Sequence, residues 1–263
     1  MFRASALAAS WTLLIFAFMY FPVAVILIFS LNDSEIIAFP LQGLTLRWYE
    51  SVVSDGRLGG GFATTLMVAF PAAILSTFLG ALAALALTRY EMKMKLKLVF
   101  AILLLLPFLI PKLILAVAQL ILLSELGVAR NLVTVTLGQV IVILPFTTLV
   151  VASVLVRIDR RLEEAAVDLG ASAWSVFRRV TLPLMRNGLV AAMFIAFVLS
   201  SSEVVLTTFL SGRAQPLSLL VASDFRFAIS PALNALAVLI VTGNIALVLV
   251  GEAIRRRSER GTG

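Results

Sequence analysis

The interpretation of this chain rests on residues 164–183, Glu-Ala-Ala-Val-Asp-Leu-Gly-Ala-Ser-Ala-Trp-Ser-Val-Phe-Arg-Arg-Val-Thr-Leu-Pro. Apolar residues recur at helical spacing over residues 157–169, which predicts a short amphipathic helix. At about 1.5 Å per residue that helix is near 20 Å long, too short and too charged to cross a bilayer. We expect Gly170 to end it, Ser172 to cap a second short helix, and Pro183 to stop that second helix.

One side of the first predicted helix is acidic. Glu164 and Asp168 lie four residues apart and therefore share a face. Beside them, the small side chains of Ala165 and Ala166 would let the helix enter a groove on another protein closely. The alternative is an ordinary amphipathic loop that lies on the lipid headgroups, which the basic residues of the segment would also permit.

The composition places the chain in a membrane. It has 263 residues, of which 61% are hydrophobic and only 13% charged, against roughly 25% charged in soluble domains. The net charge of +7 does not indicate nucleic-acid binding, because the charges lie in short segments between apolar runs. Cysteine and histidine are both absent, which removes thiolate nucleophiles, disulfides, histidine bases and the usual zinc ligands. We expect no metal and no cofactor.

Apolar runs of roughly 20 residues or more predict the membrane spans. There are six, at residues 8–31, 62–87, 98–123, 132–156, 188–209 and 232–254. The first is too long for a secretory signal, so we interpret it as a retained span behind Arg3. If the N-terminus is cytoplasmic, the segments on the cytoplasmic side contain about three times as many Lys and Arg residues as the segments on the other side. The cytoplasmic set includes Arg255, Arg256, Arg257 and Arg260. This bias predicts cytoplasmic termini and a cytoplasmic segment 157–183.

The spacing within this cytoplasmic segment resembles a known signature. Glu164-Ala165-Ala166, Gly170, Val180 and Leu182-Pro183 follow the pattern of the loop that is typical of ABC-importer permeases of the binding-protein-dependent (type I, MetI-like) kind, with Val180 where isoleucine is usual. Residues 29–32, 43–49 and 230–235 resemble the spermidine/putrescine-type permeases of that family. The resemblance covers nearly the whole chain.

The resemblance implies a fold and a set of partners. The fold would be all-α, a single polytopic domain over residues 1–263 with six spans, cytoplasmic termini and a two-helix coupling element between spans 4 and 5. In the resembled importers that element lies in a cleft of a cytoplasmic ATPase dimer. The coupling residues implied are Glu164, Ala165, Ala166, Asp168, Gly170, Leu182 and Pro183.

The other implied partners are a second, different permease chain and an extracytoplasmic solute-binding protein, all at a bacterial inner membrane and without nucleic acid. The chain lacks a Gly-x-x-x-x-Gly-Lys-Ser/Thr loop, so ATP would be bound and hydrolysed by the partner, and this subunit would not be an enzyme.

Two charges lie at membrane depth, away from the ends of the predicted spans. Lys112 and Glu203 would each cost about 2.5–3.5 kcal/mol at a helix centre, so they should face protein or a water-filled cavity. One interpretation is that they pair with each other or extend to the outer surface. The other is that they line a substrate path, shaped by helix breaks at two prolines. The residues of that second interpretation are Lys112, Gln119, Ser201, Ser202 and Glu203, with breaks at Pro107 and Pro111.

The solute is predicted from the sign of these charges. Spermidine-type permeases tend to carry acidic residues at both places, whereas this chain has Lys112 at one of them. A cationic lining favours a solute that carries a carboxylate as well as an amine. The resemblance together with Lys112 therefore implies a polyamine-, amino-acid- or opine-like solute, with a zwitterion favoured over a simple polyamine.

Two other classes of protein remain as alternatives. A secondary transporter should show repeat symmetry between its halves, and inspection finds none. A membrane-embedded enzyme would need a reacting constellation. Lys112 with Ser201 or Ser202 could imitate a Ser–Lys dyad, but no histidine or second carboxylate supports it.

Overall fold

The structure, a computed structural model, describes residues 6–227 and 230–260. Every regular element of the described residues is helical, apart from one isolated bridge between Asn32 and Leu44. The helices are α1 (Ala6–Ser30), α2 (Arg47–Ser54), α3 (Gly56–Thr88), α4 (Met94–Leu109), α5 (Lys112–Glu125), α6 (Leu132–Leu155), α7 (Arg161–Asp168), α8 (Ala173–Val176), α9 (Leu182–Ser201), α10 (Val205–Leu210), α11 (Leu217–Phe227) and α12 (Pro231–Arg260). A π-helical turn, Phe177–Thr181, joins α8 to α9.

Four helical stretches are long and apolar enough to cross a membrane. They are Ala8–Ser30, Gly56–Thr88, Leu132–Leu155 and Ala173–Ser201. α4 and α5 meet at a bend of 100° and provide a fifth if they form one broken span. The prediction of an all-α membrane protein is therefore confirmed.

The sixth predicted span, residues 232–254, falls in α12. The apolar part of that helix within the described residues, Pro231–Ala246, is shorter than a span. Arg3 and the side chains of Arg255, Arg256, Arg257 and Arg260 lie outside the described residues.

The predicted span 98–123 is not one continuous helix. α4 ends at Leu109, and Ile110 is extended at φ −79°, ψ 132° because the proline that follows disfavours helical backbone at that residue. Pro111 then provides the N-cap of α5. The break predicted at Pro111 is thus present, whereas the break predicted at Pro107 is wrong, since Pro107 lies inside α4.

The predicted span 188–209 is wrong at both ends. α9 begins at Leu182 and ends at Ser201. The chain then turns, because the Glu203 carboxylate accepts the backbone N–H groups of Val205 and Leu206 at 3.0 and 3.3 Å, which starts the separate helix α10.

The segment 157–183 differs from the prediction in one feature. α7 covers the second part of the predicted helix 157–169, Gly170 follows it at φ +85°, and the Ser172 hydroxyl accepts the Ser175 N–H at 3.3 Å, as expected. Pro183, however, does not stop the second helix. It lies in the first turn of α9, where its missing N–H is tolerated, so helical structure runs through from Ala173 to Ser201.

The chain divides into two compact units, and the single domain over residues 1–263 stays a prediction. In the first unit, residues 6–60 and 220–260, α1 and α2 pack on α12. The loop after α1 is fastened by the Trp48 indole, which donates to the Asn32 carbonyl at 2.8 Å. Ser30 and Tyr49 share a hydrogen bond of 2.6 Å in the same place.

The second unit, residues 61–219, contains all of the predicted site residues. α6 is its centre and packs against α4, α9 and α10. Gly80 lets α3 approach α6 closely, because a Cβ at Gly80 would lie only 2.9 Å from the backbone nitrogen of Thr148. At the same place the Thr147 hydroxyl donates to the Ser76 carbonyl at 2.7 Å.

Candidate coupling element and helix-break site

The acidic face of α7 is free of partners within the described part of the chain. The side chains of Glu164 and Asp168 are exposed and make no ion pair or side-chain hydrogen bond there. α7, the residue after it and α8 also carry exposed apolar side chains, Leu162 at 52%, Leu169 at 89% and Trp174 at 67%, and the Trp174 ring stacks on Phe177. The structure therefore presents a mixed acidic and apolar surface, which we call the α7 surface (Leu162, Glu164, Ala165, Asp168, Leu169 and Trp174).

α7 is held to the rest of the chain by a residue that the sequence analysis did not single out. Glu163 forms an ion pair with Arg89 at 3.0 Å and accepts a hydrogen bond from the Thr181 hydroxyl at 2.8 Å. Both charged side chains are largely buried, at 12% and 18% exposure. Ile158, three residues before α7, packs against the apolar cluster that includes Leu155 and Met185.

Lys112 and Glu203 form an ion pair, with 2.6 Å between Lys112 Nζ and Glu203 Oε2. Each of the two residues lies at a helix break, Lys112 at the start of α5 and Glu203 between α9 and α10. The Glu203 side chain is only 8% exposed, whereas that of Lys112 is 52% exposed. The interpretation in which the two charges pair is thus present in the structure.

The depth of these breaks follows from their contacts with α6. Gln139, eight residues and about 12 Å beyond the cap of that helix, bonds to residues on both sides of the Glu203 break. Its amide nitrogen donates to Thr207 Oγ1 at 3.1 Å, and its amide oxygen accepts from the Ser200 hydroxyl. The break at Glu203 therefore lies beside the interior of α6, a helix that is long and apolar enough to span a membrane.

The remaining predicted path residues are not brought to the ion pair by hydrogen bonds. Ser201 and Ser202 both donate to the carbonyl of Val198 in their own helix, at 3.1 and 2.8 Å. Gln119 lies on α5 beside Gly138, and its amide nitrogen is buried without a hydrogen-bond partner.

Gln139 was missed by the sequence analysis, although the signal was available. It is an uncharged polar residue in the middle of an apolar run, where buried polar groups need a partner. Glu163, by contrast, has no distinguishing pattern, since it stands in a row of charged residues beside Glu164.

Comparison with known proteins agrees with the resemblance. The family model described as "Binding-protein-dependent transport system inner membrane component" matches residues 76–260. The putrescine transport system permease protein PotI of Escherichia coli (strain K12) is 32% identical over 257 residues, covering 93% of this chain and 91% of that protein. The spermidine/putrescine transport system permease protein PotC of Shigella flexneri is 29% identical over 253 residues, covering 95% and 94%.

A solved structure has the same fold. It is that of a bacterial alginate ABC transporter in complex with an alginate pentasaccharide-bound periplasmic protein. The TM-score is 0.74 at 15% identity, over 96% of this chain and 93% of the other.

The family match and these relatives identify a membrane permease. The chain belongs to the family of binding-protein-dependent transport system inner membrane components. It is the transmembrane subunit of an ATP-driven solute importer of a bacterial inner membrane and not an enzyme, which confirms the expectation from residues 164–183.

Proposed function

We propose that residues 157–183 form the coupling element through which a cytoplasmic ATPase dimer drives this permease. The observation that supports the proposal most strongly is the contrast between neighbouring carboxylates of α7. Glu163 is fixed on the rest of the chain, as is Ile158 just before the helix, while Glu164 and Asp168 have no side-chain partner in the described residues. Exposed apolar side chains beside unpaired carboxylates are typical of a surface that a partner covers.

The proposal includes the predicted topology and assembly. Six spans with cytoplasmic termini place residues 157–183 on the same side as the ATPase, in agreement with the distribution of Lys and Arg. The coupling residues are Glu164, Ala165, Ala166, Asp168, Gly170, Leu182 and Pro183. A second, different permease chain and an extracytoplasmic binding protein complete the importer. The subunit needs no cofactor, because its partner binds ATP.

A charge reversal on α7 tests the docking. Glu164→Arg places a cation on the α7 surface, and we expect it to abolish the ATP hydrolysis that solute and binding protein stimulate in the reconstituted complex. Glu91→Arg is the matched control, because Glu91 is also exposed and lies on the same predicted side of the membrane, but outside residues 157–183. Normal stimulation in Glu164→Arg, with the subunit inserted, would refute the docking role.

We further propose that the solute path passes the two helix breaks. Irregular backbone at membrane depth is tolerated where it lines a cavity, and both breaks meet at the Lys112–Glu203 pair. Glu203 suits an ammonium group, and the half-exposed ammonium of Lys112 suits a carboxylate. The solute is then a small amine, with a zwitterion of the amino-acid or opine type favoured over a polyamine. Gln119, Ser201 and Ser202 belong to the same path.

Uptake by the reconstituted importer tests the solute class. We expect zwitterionic amines to be transported in preference to putrescine and spermidine, and Lys112→Asp to reverse that preference. Uptake of spermidine alone, unchanged by Lys112→Asp, would refute the role of Lys112. The conservative variant Lys112→Arg, which keeps the positive charge, is the control.

A further inference from the structure

We infer that a reciprocal pair of arginines, Arg89 and Arg160, fastens α7 to two spans at once, so that a displacement of α7 moves α3 and α9 together. We call the group of Arg89, Arg160, Glu163 and Thr181 the arginine clamp. The inference rests on the proposed function, because it concerns how the docked element transmits its movement. Its four members are positioning residues, since none of them lies on the α7 surface.

The first half of the clamp reaches from α3 to the coupling segment. Arg89 directly follows α3, and its Nε donates to Glu163 Oε1 at 3.0 Å. Its Nη2 donates to the Ile158 carbonyl at 3.1 Å, just before α7. Charge-assisted bonds of this kind are roughly twice as strong as neutral ones, and the low exposure of both side chains limits screening by water.

The second half runs in the opposite direction. Arg160, the residue before α7, donates from Nη2 to the carbonyls of Thr88 and Arg89 at 2.6 and 3.0 Å. These carbonyls lie at the end of α3, where helical hydrogen bonds leave them without partners and where the helix dipole favours a cation. The two arginines thus cross, each binding the backbone beside the other.

Glu163 extends the clamp to α9. The oxygen that accepts from Arg89 also accepts from the Thr181 hydroxyl, at 2.8 Å. Thr181 is 4% exposed and is the last residue of the π-helical turn, directly before α9. π-helical turns occur frequently at functional sites, and here the turn brings a buried hydroxyl to the carboxylate that α3 also binds. One carboxylate therefore joins α3, α7 and the start of α9.

The absence of cysteine from the chain permits a direct test of this rigid body. In the assembled complex, spin labels on Leu82→Cys in α3 and Val167→Cys in α7 report the distance between the two helices by pulsed electron resonance. Both positions are about half exposed, at 49% and 55%. We expect the distance in the otherwise unchanged chain to stay within about 1 Å between the nucleotide-free state and the state trapped with a non-hydrolysable ATP analogue.

In Glu163→Ala or Arg89→Ala, we expect the same distance to change by at least about 2 Å when the analogue binds. In Glu163→Gln the distance should change much less than in Glu163→Ala, because the glutamine amide oxygen can still accept hydrogen bonds from Arg89 and Thr181. Glu91→Ala is the neutral control. The inference would be overturned if the distance between the labels changed with nucleotide in the chain with an intact clamp, or if it stayed constant in Glu163→Ala. It would also be overturned if Glu163→Ala only broadened the distance distribution, and did so equally in both nucleotide states. Loss of the ATPase from the purified unmutated complex would instead overturn the docking proposal.

Discussion

Removing the charge of Lys112 should destabilise the protein more than removing the charge of Glu203. The two substitutions are Lys112→Met and Glu203→Gln, both close in volume to the original side chains. The structure distinguishes them because the environments of the two charges differ. The carboxylate of Glu203 is 8% exposed, whereas the ammonium-bearing side chain of Lys112 is 52% exposed and can be hydrated.

The magnitude follows from what each substitution leaves behind. Breaking a buried ion pair from one side costs roughly 3–5 kcal/mol because a charge remains uncompensated. Glu203 keeps two backbone N–H donors on its other oxygen, so we expect the lower end, about 3 kcal/mol, for Lys112→Met. Glu203→Gln leaves a half-exposed ammonium and keeps an amide oxygen for the same donors, and we expect about 1 kcal/mol. The double variant leaves no unpaired charge, and we expect about 1 kcal/mol as well.

Thermal unfolding of the purified complex measures these differences. A loss of 3 kcal/mol corresponds to a fall of roughly 6–12 °C in the unfolding midpoint of a protein of this size. Adding Glu203→Gln to Lys112→Met should therefore raise the midpoint again, with a coupling energy of about 3 kcal/mol. Strict additivity of the two substitutions, with the double variant the least stable of the three, would refute the assignment of Glu203 as the buried charge that needs Lys112.

Two further changes test the packing and the electrostatics. Gly80→Ala should destabilise the protein by about 1–3 kcal/mol, because the new Cβ would meet the backbone of α6. Gly59→Ala in the same helix should be neutral or stabilising, because nothing lies within 4 Å of the Cβ that it adds. Equal midpoints of the two variants in thermal unfolding would contradict this. The bidentate hydrogen bonds from Arg57, at 2.7 and 3.0 Å, hold the pKa of Asp224 below its ordinary value. The Arg57–Asp224 pair is exposed and therefore stabilises the folded protein by less than about 1 kcal/mol. This stabilisation is present above about pH 4 and is lost as the pH falls through the lowered pKa of Asp224. Asp224→Asn should remove this acid-side loss in a pH series of unfolding midpoints, and a transition centred between pH 6 and 8 would contradict the reasoning.

The sequence was sufficient to predict that the chain forms apolar helices, but not to predict where those helices are interrupted. Apolar runs predict spans because lipid requires about 20 apolar residues, and three of the predicted runs, at residues 8–31, 62–87 and 132–156, coincide with continuous helical stretches of spanning length. Their ends depend on contacts that hydropathy does not report. Ser202 to Val204 are no more polar than residues inside α9, yet the helix stops there because Glu203 binds the backbone ahead of it.

The same limit applies to the proposed coupling element. The motif identifies Glu164, and Glu164 is exposed as a docking residue should be. Glu163 differs from it in sequence by one position only, and its function depends on Arg89, 74 residues earlier in the chain. An ion pair over such a separation follows from the way α3 and α6 pack, which in turn depends on Gly80. Residue type alone therefore could not separate the two glutamates.

α9 connects the two ionic contacts of the second unit. It begins directly after Thr181, which binds Glu163, and it ends directly before the break at Glu203. Its 20 residues form an uninterrupted helix about 30 Å long, and such a helix resists changes in length far more than the irregular backbone at either end. A displacement that α7 passes to Thr181 therefore reaches the Lys112–Glu203 pair with little loss. At that pair, both neighbouring spans are already interrupted, so a small movement changes the separation of two charges rather than the packing of a continuous helix.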